Sequence, residues 1–256
     1  MRIATWNVNS LTARLPRVEE WIAYAQPDVL CLQETKQAES AFPHEAFTAL
    51  GYESAHHGDG RWNGVALISR VGLSGVTRGL GGDDGQGPRA IAADCGGVRV
   101  VSVYVPNGRS LDSEHFPAKL EWLARLRDVL DETTSPDRPV AVCGDFNVAP
   151  EDRDVWDPEQ FVGMTHVSPP EREALADLQE WGLEDAFRRV YDEDRLFSWW
   201  DYRGGSFHRH RGLRIDLILV TEVLAARTTW ALIDRNARKG EKPSDHTPVF
   251  IDTTVD

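Results

Sequence analysis

Val140-Ala141-Val142-Cys143-Gly144-Asp145-Phe146-Asn147 opens with an unbroken run of small and apolar residues and closes on a carboxylate and an amide. A run without polar alternation suits a strand covered on both faces, as in the interior of a layered sheet protein. A strand over 139–144 is therefore predicted, with Asp145 and Asn147 where it ends. The pattern recurs along the chain. Glu34 follows Leu30-Cys31-Leu32-Gln33 in a strand over 29–33, and Asn7 and Asn9 follow Ile3-Ala4-Thr5-Trp6 in one over 2–8. Tyr104 and Asn107 close a strand over 98–105 at the turn Pro106-Asn107-Gly108. Asp216 interrupts a strand over 214–220, and Ser244-Asp245-His246 leads into one over 249–253. Turn formation explains any one polar residue at a strand end. Six ends that all carry oxygen or imidazole groups point instead to one crevice, because strand ends converge in layered sheet proteins.

Between these strands the apolar spacing turns helical. Leu120, Leu123, Leu126, Val129 and Leu130 share a face over 117–132, as do Val18, Trp21 and Ile22 over 15–26, and a third helix is predicted over 171–181. A further strand is expected over 64–69. The stretches 79–87 and 203–212 read as loops, and His56-His57 reads as a solvated turn in a Gly-rich loop. Strands interleaved with helices predict an α/β or α+β layer protein. No repeat of solenoid length or low-complexity tract divides the 256 residues, so one domain over 1–256 is expected.

Hydrophobic residues make up 41% and charged residues 27%, which excludes a disordered or fibrous chain. No apolar run approaches the roughly 18 residues of a membrane helix, so no membrane partner is expected. The opening Met1-Arg2-Ile3-Ala4-Thr5-Trp6 lacks the basic and apolar regions of a signal peptide. Cys31, Cys95 and Cys143, odd in number and widely spaced, fit reduced thiols in a cytoplasm. The net charge of -13 argues against nonspecific coating of nucleic acid, whose affinity comes from released counterions. Positive charge is focused at 203–214, which holds four arginines, two histidines and no acid. The planar fork of arginine suits phosphate oxygens.

Carboxylates and amides are hard oxygen ligands, so the strand-end cluster suits magnesium or manganese and not zinc. Glu34, at the end of a buried strand, is the best single ligand candidate. His246 is the histidine beside a strand in a Ser-Asp-His context, and Asp216 is a candidate to orient or charge it. Cys143 reads as a core thiol. No Gly-x-Ser-x-Gly elbow and no phosphate-binding Gly-x-x-x-x-Gly-Lys-Ser/Thr loop is present, which argues against serine-nucleophile and nucleotide-driven chemistry.

Taken in order, Thr5-Trp6-Asn7-Val8-Asn9, Leu32-Gln33-Glu34-Thr35-Lys36, Tyr104-Val105-Pro106-Asn107-Gly108, Gly144-Asp145-Phe146-Asn147, Gly212-Leu213-Arg214-Ile215-Asp216 and Pro243-Ser244-Asp245-His246 resemble the motifs of the bacterial exonuclease III family of apurinic/apyrimidinic endonucleases. The resemblance implies a four-layer α/β sandwich of two mixed sheets, face to face and flanked by helices. It implies a Mg2+-dependent phosphodiesterase, with Mn2+ as a substitute, that cleaves duplex DNA 5′ to abasic sites. It also implies 3′-to-5′ exonuclease and 3′-phosphatase activity on duplex 3′ ends. A cytoplasmic monomer is expected.

By the same resemblance, Glu34 with Asn7 and Asp245 nearby forms the principal metal position, and Asp145, Asn147 and His246 also fall among the metal contacts. Asp145 and Asn147 handle the attacking water and steady the phosphoryl oxygens, His246 paired with Asp216 faces the scissile phosphate, and Tyr104 is the active-site tyrosine. Asn107 contacts a phosphate, Trp199 and Leu213 wall the abasic-sugar pocket, and Arg203, Arg209 and Arg211 face DNA. Asn9 departs from members with Asp there, which removes a negative charge near the metal. Two other readings stay open. One is a same-fold phosphodiesterase acting on phosphoinositides, sphingomyelin or messenger RNA tails. The other is a non-catalytic nucleic-acid regulator.

Overall fold

The computed structural model describes residues 1–82 and 85–254. Two residues of the predicted loop at 79–87, positions 83 and 84, lie outside the described residues. In chain order the strands are β1 (Arg2–Asn7), β2 (Val29–Gln33), β3 (Glu53–His57), β4 (Val65–Ser69), β5 (Ser74–Arg78), β6 (Ala90–Cys95), β7 (Val98–Tyr104), β8 (Val140–Asp145), β9 (Leu183–Asp185), β10 (Asp216–Thr221), β11 (Thr228–Ile233) and β12 (Val249–Thr253). The α-helices are α1 (Leu11–Ala25), α2 (His44–Ala49), α3 (His115–Thr133), α4 (Pro169–Glu180) and α5 (Glu222–Ala225).

They build two six-stranded sheets, ordered β11-β12-β1-β2-β4-β3 and β5-β6-β7-β8-β10-β9. Each is mixed: β1 runs parallel to β2, and β7 to β8, while the other pairs are antiparallel. The period of two along each strand sorts the core into layers. On β8, Ala141 and Cys143 join Ile3, Val29 and Cys31 of the other sheet in one cluster, so the sheets face each other there. Val140 and Val142 turn the other way, onto Leu123, Leu126 and Leu130 of α3 and Leu175 and Leu178 of α4. Trp6, Leu30 and Leu32 pack outward onto Val18, Trp21 and Ile22 of α1 and Phe47 of α2. The result is the expected helix–sheet–sheet–helix sandwich, and the predicted buried strands occupy its centre. Cys31, Cys95 and Cys143 are free, buried thiols. No helix among the described residues is long and apolar enough to cross a membrane.

Several expectations need correction. The first helix starts at Leu11 and not at Leu15, because the chain reverses at Asn9 and Ser10 and the carbonyls of Glu34 and Thr35 take the N–H groups of Ser10 and Leu11. Strands β3, β5, β6, β9 and β11 fall outside the predicted set. His56 and His57 are not a solvated turn but the end of edge strand β3. The His56 ring is fully buried, stacked 4.3 Å from Phe42 between centroids, with Nε2 2.9 Å from Thr35 Oγ1 and Nδ1 3.2 Å from Glu39. Burial, which outweighs the pull of Glu39, lowers its pKa to about 4. Near neutral pH a neutral imidazole thus props the turn that carries Glu34.

Candidate active site

The strand ends do converge. β1 ends on Asn7, β8 ends on Asp145, and Glu34 follows β2 with a left-handed backbone, φ 51°. Asp216 opens β10 directly opposite Asp145 in the antiparallel ladder, and Tyr104 sits opposite Asp145 on the parallel side. Gly144 makes this crowding possible, since a Cβ there would lie 1.9 Å from the Val103 carbonyl oxygen. Ligand atoms of Glu34, Asp145 and His246 lie within 4.8 Å of one another.

Hydrogen bonds fix the members of this group. The Asn7 Nδ2 donates to Glu34 Oε1 and to Asp145 Oδ2, each at 2.9 Å, while its Oδ1 accepts from the Asn9 backbone at 3.0 Å. Asn7 therefore turns its nitrogen to the carboxylates and orients both. His246 places Nδ1 2.8 Å from Asp216 Oδ2 and Nε2 3.6 Å from Asp145 Oδ2. Ser198 Oγ donates to Asp216 at 2.6 Å, and Ser244 Oγ donates to the Asn7 carbonyl at 2.7 Å. Asn147, also left-handed at φ 51°, donates its backbone N–H to Asp145 Oδ1 at 2.9 Å and its Nδ2 to the Val105 carbonyl at 3.0 Å. Exposed Asn107 donates to Asn147 Oδ1 at 3.2 Å.

Electrostatics follow from burial and crowding of like charge. Asp145 is pushed up to about 7 by desolvation, with Asp216 and Glu34 adding to the rise and His246 opposing it. Burial alone would lower His246, but Asp216 and then Asp145 outweigh it and hold the imidazole up at about 10. Near neutral pH the site thus pairs an imidazolium with a carboxyl poised to exchange a proton. Burial, then Glu34 and Asp145, raises the Tyr104 phenol well above its ordinary range. The guanidinium of Arg89 lies 4.6 Å from the centre of the Tyr104 ring.

Asp245 lies outside the 4.8 Å group. Its carboxylate accepts from Asn9 Nδ2 at 3.0 Å and from Trp199 Nε1 at 3.1 Å. Trp199 is half-buried beside His246, whereas its neighbour Trp200 fills the core. Leu213 is 1% exposed and packs behind Trp199. Arg203, Arg209 and Arg211 are exposed, with Arg211 over the Trp156 ring. Arg214 does not belong with them. It is buried, bonded to Asp154 and Asp185, so its charge is neutralised inside the protein. Sequence reading missed Ser198 and Lys36. The Lys36 ammonium lies 2.9 Å from Glu34 Oε2 and donates to Asn9 Oδ1 at 2.6 Å. Ser198 carries no signal in sequence, since only folding brings it to Asp216. Lys36 could have been found from its place two residues after Glu34.

The sequence profile of the endonuclease/exonuclease/phosphatase family matches residues 4–246. The chain belongs to this family. The chain is 37% identical over 265 residues to exodeoxyribonuclease III of Haemophilus influenzae, a match that covers 98% of this chain and 99% of that one. Its fold superposes on an AP endonuclease from Archaeoglobus fulgidus with a TM-score of 0.97 at 37% identity, over 100% of both chains. It also matches a 3′-5′ exonuclease from Neisseria meningitidis with a TM-score of 0.96 at 41% identity, again over 100% of both chains. A Neisseria 3′ phosphatase bound to a product DNA hairpin gives the same TM-score, 0.96, identity, 41%, and full coverage, 100% of both chains. As a family member this protein is a phosphoester hydrolase.

Proposed function

We propose that this chain is a Mg2+-dependent DNA-repair phosphodiesterase. It incises duplex DNA 5′ to abasic sites and trims 3′ ends, including 3′ phosphates, with Mn2+ able to substitute. The observation that carries this reading is the group of Glu34, Asp145 and His246, with Asp216 behind the histidine, at one strand edge. A single domain over 1–256 acting as a cytoplasmic monomer is part of the proposal. The relatives that act on or bind DNA, and the exposed arginines at 203, 209 and 211, favour DNA over other phosphate esters.

Two carboxylates crowded around one amide, one of them driven toward protonation, fit a hard divalent cation. Glu34 and Asp145 would hold it, with Asn7 orienting both. When bound, such an ion offsets charge on a phosphoryl oxygen and polarises the phosphorus.

The remaining steps belong to the protein. The Asp145 carboxylate accepts a proton from the attacking water. The water oxygen bonds to phosphorus as the bond to the 3′ oxygen breaks, and that oxygen takes up a proton from solvent water to leave as a hydroxyl. The imidazolium of His246 neutralises the phosphoryl oxygens as charge grows there, and the Asn147 and Asn107 amides face the same group. Tyr104, kept protonated by its buried setting, donates a hydrogen bond to an oxygen of the phosphate. Trp199 walls the site where a sugar without its base would lie, and turning out such a sugar costs least because nothing there is paired or stacked. The test is to compare an abasic duplex, a duplex with a 3′ phosphate and a blunt duplex, each with and without Mg2+. Mg2+-dependent cleavage of the first two is expected. No cleavage of any of the three would overturn the reading.

Asp216 carries a pH prediction. Its carboxylate keeps His246 protonated up to about pH 10. In Asp216→Asn that support is lost while burial remains, so the imidazole gives up its proton at a much lower pH. Turnover at pH 8 should fall about 100- to 1000-fold, as for loss of one transition-state donor, with DNA affinity little changed. The variant should also lose activity as pH rises through neutrality. A flat profile and unchanged kcat would show that Asp216 has only a structural role.

Replacing Arg209 and Arg211 with Ala should weaken DNA binding and flatten the plot of log affinity against log salt, by roughly 0.9 for each phosphate that is no longer neutralised. An unchanged slope would place those side chains away from the duplex.

A further inference from the structure

Lys119 and Glu171 form a fully buried ion pair behind the active site, on α3 and α4. An ammonium in the interior is costly unless its donors are used, and here each of its three donors has an acceptor. Besides bonding to Glu171 Oε1, Lys119 Nζ donates to the Asn147 carbonyl at 2.7 Å and reaches the Asn107 carbonyl at 3.4 Å. Glu171 is saturated in turn. Its Oε1 accepts from Thr165 Oγ1 at 2.8 Å and the His166 backbone at 2.9 Å, and its Oε2 accepts from the backbone and hydroxyl of Ser168 at 3.1 and 2.6 Å. Thr165 Oγ1 also lies 3.1 Å from the Asn107 carbonyl.

The two carbonyls that Lys119 grips belong to the two residues whose amides bond to each other at the mouth of the site. They sit on separate loops, one after β7 and one after β8, and Asn147 holds a left-handed backbone, φ 51°, a conformation that asparagine tolerates better than most residues. Gly108 lets the first loop lie on the lysine stem, since a Cβ there would come within 3.1 Å of Lys119 Cδ. Nothing on α3 itself calls for a charge at this point.

We propose that Lys119, held by Glu171, is a positioning residue that sets the Asn107 and Asn147 amides against the phosphoryl oxygens. This rests on the reading of Asn147 as a phosphate-facing group. Lys119→Met alone strands a buried carboxylate and destabilises the fold. In Lys119→Met/Glu171→Gln both charges are gone, so thermal stability should recover much of the loss, yet both carbonyls lose the ammonium that grips them.

The experiment measures kcat, KM and the melting temperature of these variants on duplex DNA, and repeats the double substitution in an Asn147→Ala background. Positioning predicts that the double variant loses about 10-fold or more in kcat with KM nearly unchanged and near-native melting. In the Asn147→Ala background the same pair should change kcat by less than about two-fold, because coupled residues do not add. Wild-type kcat in the double variant, or the same loss in both backgrounds, overturns the proposal. Unchanged kcat in Asn147→Ala alone would instead overturn the reading of Asn147, and with it this proposal. Should the double variant not fold, Glu171→Gln alone removes the charge that holds Lys119 in place and should lower kcat about three-fold, the effect of one hydrogen bond. An unchanged kcat there overturns the proposal equally.

Discussion

Asp145→Asn is expected to lower kcat by about 1000-fold, within the range for loss of a general base, while DNA affinity changes little. Asparagine has nearly the same shape and can still accept from the Asn147 backbone N–H, so the loop keeps its anchor. It cannot take a proton from water, and it offers no charge to a cation. Stability should hardly suffer. A carboxyl pushed up to about 7 is one whose charged form is disfavoured in the folded protein, so removing that charge relieves repulsion from Asp216 and Glu34 above neutral pH. The check is a single-turnover rate beside a melting curve. A variant that melts like the wild type and cleaves at its rate would remove Asp145 from the chemistry.

The cation carries the second large effect. Excess chelator should abolish cleavage, and Glu34→Gln should raise the Mg2+ concentration for half-activity roughly 10- to 100-fold, because a neutral amide replaces an anionic oxygen at the same place. Lys36 sharpens the expectation. Its ammonium already lies 2.9 Å from Glu34 Oε2, so the site carries less negative charge than its carboxylates suggest. The pH dependence has a definite sign. A protonated Asp145 is no ligand, and its pKa is about 7 without the ion. Below that pH the cation must displace a proton, so the half-activating concentration should climb up to about ten-fold per pH unit on the acid side and level off above. Titration calorimetry in buffers of different ionisation heat would count the proton released. No proton release at pH 6, or full activity of Glu34→Gln at wild-type Mg2+ levels, would contradict this placement.

How much of this was legible in the sequence depends on where each residue sits in the layers. Central strands are covered on both faces, so β2, β8 and β10 announce themselves as short apolar runs, and Glu34, Asp145 and Asp216 stand out against them. β3, β5, β9 and β11 lie at sheet edges. There one face or one rim meets water, and the residues are mixed enough to resemble loops. His56 illustrates the cost: beside glycines it reads as solvent-facing, yet tertiary contacts with Phe42 and Thr35 bury it. Arg214 shows the reverse error. Within a run of arginines it reads as part of a DNA-facing surface, but the segment that leads into β10 is buried throughout and sets it against Asp154. Ser198, Lys119 and Glu171 were illegible because their significance lies in partners 18, 28 and 52 residues away.

The central claim is that water attacks phosphorus at this cluster with the help of a divalent ion. Cleavage of an abasic duplex and of a 3′-phosphate duplex in water enriched in oxygen-18, with Mg2+ and with chelator, tests it most directly. One labelled oxygen is expected in each product phosphate formed, and no product in chelator. Unlabelled phosphate, or cleavage that persists once the metal is removed, would contradict it.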